Sequence, residues 1–81
     1  MATPDLAPFA VYREVSPFGC AGDFCLRRVE GEFALGRLTF VGWAPDVEEF
    51  SLPLSELLDP ERWVYLPTIT EGCRALVASR A

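Results

Sequence analysis

Apolar and polar residues alternate most regularly from Val47 to Leu54. Phe50, Leu52 and Leu54 point one way, and Glu49, Ser51 and Pro53 the other. This period of two predicts a half-buried strand. Pro53 has no N–H to donate, so the strand lies at a sheet edge or ends there. A shorter alternation over 9–15 sets Phe9, Val11 and Arg13 against Ala10, Tyr12 and Glu14, and predicts a first strand. Phe24 to Val29 is the second. Glu30-Gly31 then marks a tight hairpin, because Gly takes a positive φ at no steric cost. The third strand spans 32–41. A strict alternation there sets Phe33 and Leu35 opposite Leu38 and Phe40. One extra residue at Gly36-Arg37 brings all four to one face, so a β-bulge is predicted there, with Glu32, Arg37 and Thr39 toward solvent.

Other segments punctuate these strands. Residues 16–23 form a loop with a proline and two glycines, and 42–46 form a turn. Ser55-Glu56-Leu57-Leu58 predicts one helical turn with Ser55 as its cap. Asp59-Pro60-Glu61 is a second helix-start signal. Residues 62–66 are aromatic and β-branched and end at Pro67, which favours a strand over a short helix. Residues 73–79 fit a last strand or a last helix. Four to six short strands at this spacing predict a mainly β fold, a small barrel or roll with one or two helical turns. The alternative is α+β with a C-terminal helix. A helical turn between the last two strands is common in SH3-like barrels, a likeness of fold that carries no function. Residues 1–8 read as an N-terminal arm and 9–81 as one small domain, since 81 residues support a single core.

Composition narrows the chemistry. The chain carries a net charge of −5 and is 51% apolar, which places it among globular and not disordered sequences. It contains no His, Lys, Asn or Gln. Those four share codons with A or C first and A second, which points to a GC-rich genome, bacterial or phage. Without His there is no Ser–His or Cys–His nucleophile pair, and without Lys no Schiff base or P-loop lysine. No catalytic residue and no cofactor are therefore expected. The seven cations are all Arg and are spread along the chain, which argues against nucleic acid, whose phosphates need clustered positive charge. No apolar run approaches the roughly 20 residues of a membrane span. Met1-Ala2-Thr3-Pro4-Asp5 has neither a basic nor a long apolar stretch of the kind that opens a signal peptide, so a cytoplasmic home is expected.

Candidate sites are few. Cys20 and Cys25 sit at the wide limit of zinc-ligand spacing, and a closed site would need Cys73 and a carboxylate as well. The cysteines are expected as ordinary, partly buried thiols, kept reduced in the cytosol. A Cys-based metal domain is the lesser alternative. The pairs Glu48/Glu49, Asp59/Glu61 and Glu30/Glu32 read as solvated turn residues. Arg27 and Arg28 should face opposite ways and pair with neighbouring acids. Trp63 reads as core. Trp43 lies off any alternating face, and tryptophan is enriched at binding hot spots. The expected contact surface is Trp43 with Pro45, Asp46, Glu49 and Pro53.

From Gly36 onward, GRLTFVGWAPDVEEFSLPLSELLDPERW followed by GCRALVAS is slightly similar to small bacterial immunity or antitoxin-type proteins. These carry an acidic, Phe-bearing strand before a "PLS" turn and a tryptophan. The likeness covers roughly half the chain, includes no diagnostic catalytic or ligand residue, and lapses after Trp63. The expectation is a small acidic, non-catalytic interaction protein, a regulator or inhibitor that binds one protein partner. An immunity-like protein or phage-borne inhibitor is its sharpest form, and its acidity suits a basic partner. The alternative is a structural subunit of a homo-oligomer or phage assembly, closing its sheet edges against copies of itself.

Overall fold

The structure, a computed structural model, describes residues 5–15, 22–40 and 45–80. The chain runs β1 (Val11–Glu14), β2 (Gly22–Glu30), β3 (Phe33–Phe40), β4 (Val47–Pro53), α1 (Leu54–Leu57), β5 (Trp63–Tyr65) and α2 (Pro67–Arg80). All five strands form one antiparallel sheet in the order β4-β3-β2-β1-β5. The broad mainly β expectation fits. The expected closed barrel does not form, because β4 and β5 are the two edges and do not pair with each other. The C-terminal helix of the alternative is present, and 73–79 lie within it.

Pro67 explains the last change of structure. It cannot extend a strand, but its fixed φ and missing N–H suit the first position of a helix. The Thr70 N–H then donates to the Leu66 carbonyl at 3.0 Å, closing the first turn. The favoured strand over 62–66 is present as β5, with Trp63 buried. Its predecessor, Asp59-Pro60-Glu61, forms a turn and not a helix start. The Asp59 side chain accepts from the Glu61 N–H, and its carbonyl accepts from Arg62 and Trp63, each at 3.0 Å. Local bonding of Asp side chains favours such turns. The short helix α1 starts at Leu54 with no side-chain cap, so Ser55 lies inside it. The hairpin turns at Gly31-Glu32, between the paired residues Glu30 and Phe33, with Gly31 at φ +59°.

The core occupies one face of the sheet. Phe24 sits at its centre, fully buried, with Tyr12, Leu26, Ala34, Leu38, Leu52 and Leu57 around it. Its ring meets Phe50 of β4 edge-on at 6.1 Å and Trp63 of β5 at 6.2 Å. The two outer strands therefore reach one central ring from opposite sides, and the sheet curls over its own apolar face. Burying a ring of this size contributes about 1.5–3 kcal/mol.

Two irregularities make that curl, and they correct the expected bulge. β3 alternates strictly, with Ala34, Gly36 and Leu38 inward, while Phe33 and Leu35 fall on the other face. The extra residues lie in its neighbours. Arg27 is unpaired in β2, and β4 uses Glu48 and Glu49 where β3 spends only Arg37. Gly36 marks the place for a different reason. A Cβ there would lie 2.1 Å from the Cys25 carbonyl oxygen, so the two backbones press together only because no side chain intervenes. β1 also starts later than expected. Phe9 has φ +70°, which breaks the strand, although its N–H still reaches the Leu26 carbonyl at 2.7 Å. A left-handed backbone at such a residue costs about 1–2 kcal/mol. Gly22 and Asp23 belong to β2 and not to the preceding loop, whose residues 16–21 lie outside the described residues.

Two glycines give opposite expectations. Gly36→Ala forces a methyl into a main-chain oxygen and lowers stability by about 3 kcal/mol or more. Gly72 lies inside α2 with nothing within 4 Å of its Cβ position, so Gly72→Ala raises stability by about 0.5–1 kcal/mol. Urea denaturation of both variants checks the pair, and a Gly36→Ala protein as stable as the parent would refute the close approach.

Candidate functional site

The expected contact residues converge on one sheet edge. Pro45 and Asp46 lead into β4, and Glu49 and Pro53 lie in it; Trp43 lies outside the described residues. β4 is an edge strand, as Pro53 implied. Glu49 is exposed and forms no ion pair among the described residues. Asp46 is engaged within the fold, since the Arg37 guanidinium pairs with it and lies 3.5 Å from Glu48. Glu48 is also 3.5 Å from Arg27. These surface pairs contribute little to stability. Arg28 bonds Glu30 at 3.0 Å, the local pairing expected of it.

Two hollows border β4. One, of about 260 Å3, lies where both irregularities meet, between Arg27, Arg28, Glu48, Glu49 and Ser51. Its charges balance. The other, of about 280 Å3, opens between β4 and β5. Phe50, Leu52 and Trp63 line it with apolar surface, Glu14, Glu56 and Glu61 with carboxylates, and Arg62 with a guanidinium. Its position follows from the unclosed sheet. Sequence reasoning missed it, because Glu14 and Glu61 come from opposite ends of the chain and meet only through the pairing of β1 with β5.

A polar clamp holds α2, and it too was missed. Thr70 is fully buried, and its Oγ1 accepts from the Val11 N–H at 2.9 Å. One turn on, Arg74 donates to Asp5 at 2.8 Å and to the Pro8 carbonyl at 3.0 Å. Asp5 also accepts from the Ala7 N–H at 2.8 Å, and its main chain exchanges bonds with the Tyr12 hydroxyl. The Arg74 hydrogen bond, aided by Ala7, holds the Asp5 carboxyl at a pKa of about 2, below the ordinary 3.8. The Tyr12 hydroxyl is pushed up, chiefly by burial. The i, i+4 spacing of Thr70 and Arg74 places both on one helix side, the one available signal; nothing local marks Asp5.

Cys25 and Cys73 are half-buried free thiols, and burial raises the pKa of Cys25. Cys20 lies outside the described residues. Among the described residues, no three His, Cys, Asp or Glu side chains gather as a metal site. None of their helices is long and apolar enough to cross a membrane. No protein-family model matches the chain, and no curated protein or solved structure matches it.

The clamp gives a pH prediction. A depressed carboxyl pKa stabilises the fold above the ordinary value, and that contribution is lost as pH falls through the folded value. The Ala7 amide resonance is therefore expected to hold down to about pH 4 and then titrate with a midpoint of about 2. Asp5→Asn removes the transition, whereas a midpoint near 3.8 would mean that Arg74 does not hold Asp5.

Proposed function

We propose that this chain is a small non-catalytic interaction module, a regulator or inhibitor that binds one basic protein partner along β4. One observation carries the reading: a seven-residue edge strand with no outer neighbour among the described residues, bearing the exposed Glu49. Exposed strand edges invite pairing with other chains. Glu49, which has no ion pair among the described residues, discourages a second acidic copy and favours a basic partner. The immunity-like or phage-borne inhibitor is the sharpest form of the proposal.

The test places a photo-crosslinking residue at Ser51, exposed on β4, inside the source cells. A discrete adduct with one other protein is expected, and Glu49→Arg in the same chain reduces it about tenfold through like-charge repulsion. An adduct insensitive to Glu49→Arg, or none at all, removes the β4 edge as the contact.

A second reading, a subunit of a homo-oligomer, is favoured by α2. The helix is fastened by polar groups, while Ile69, Leu76 and Val77 are 42%, 55% and 41% exposed. This reading expects a dimer in sedimentation velocity that Leu76→Glu dissociates. A single-chain mass at all concentrations removes it.

A further inference from the structure

We infer that the hollow between β4 and β5 is a groove for an extended segment of the partner in which apolar residues alternate with Arg or Lys. This deepens the interaction reading above and rests on it.

The apolar part comes from the floor. Phe50, Leu52 and Trp63 face the gap from its two sides, and Phe50 and Trp63 both touch the central Phe24. A bare ion has no use for such a floor, but an aliphatic side chain does.

The basic part comes from the rim. Arg62 already lies 3.4 Å from Glu56 and 3.6 Å from Asp59. Glu14 and Glu61 have no ion-pair partner among the described residues. Two carboxylates thus stand unneutralised above an apolar floor, which favours a cation carried beside an apolar group.

The extended form comes from the walls. Both bordering strands are sheet edges, so their outer backbone groups have no strand partner among the described residues, the condition for adding a strand. Successive side chains of a strand point to opposite faces, and that alternation supplies apolar and basic contacts by turns.

A second copy of the chain fits poorly. It carries the same net charge of −5, and every Arg except Arg80 is already within an ion pair of its own fold.

The test titrates the intact protein with three synthetic peptides of roughly eight residues, alternating Val/Arg, Gly/Arg and Val/Glu, followed by heteronuclear NMR. The Trp63 indole and Glu14 amide resonances report the groove. The Val/Arg peptide is expected to shift both and to saturate, binding at least about tenfold more tightly than the others. The double variant Glu14→Gln, Glu61→Gln, at two exposed positions, weakens it about tenfold. Equal binding of Gly/Arg would reduce the effect to charge alone and overturn the groove, as would unmoved Trp63 resonances or an unaffected double variant. If these fail while the Ser51 adduct still depends on Glu49, the groove falls and the interaction reading stands. If the Ser51 adduct is also missing, both fall.

Discussion

The contact of Phe24 with Phe50 and Trp63 organises this structure. A five-stranded sheet has two faces, and among the described residues a single helical turn, α1, adds to its main core. The apolar face must therefore be covered by the sheet itself. Phe24 sits in the middle strand, and rings from the two outermost strands converge on it. Curling that far requires extra residues on the strands that bend. Arg27 in β2 and the Glu48-Glu49 pair in β4 supply them, and Gly36 between them lets the backbones meet. Bulges sharpen the twist of a strand, so these features act together as one device.

The curl stops short of closure, and the hollow beside β4 follows from that. β5 has only three residues, and the turn before it is anchored by Asp59. The strands that would meet in a barrel instead face each other across a gap with an apolar floor. The carboxylates on its rim belong to β1, α1 and the turn before β5, elements that the fold brings there for other reasons. Core formation and the proposed binding surface are thus two consequences of one geometry.

The other end of the chain is held by different physics. α2 contributes little to the apolar core; its fixed points are Thr70 on the Val11 amide and Arg74 on Asp5 and its neighbours. These bonds leave several apolar side chains of the helix in solvent. They also consume a cation. With most arginines paired internally, the surplus acids set the charge of the surface.

Much of the fold was legible in the chain. The alternation over 47–54 located β4, Pro53 marked it as an edge, Gly31 marked the hairpin, and Pro67 ended β5. These depend on side-chain periodicity and backbone sterics, which act between near neighbours. Of the residues expected to make a contact, Pro45, Asp46, Glu49 and Pro53 share one edge. The tertiary structure alone decided the rest: which strand takes the extra residue, whether the sheet closes, which face β3 buries, and what holds α2. The bond from Arg74 to Asp5 spans 69 residues, and the rim of the hollow joins Glu14 to Glu61. Such relations arise from the packing of distant segments around one ring, and a local pattern holds no record of them.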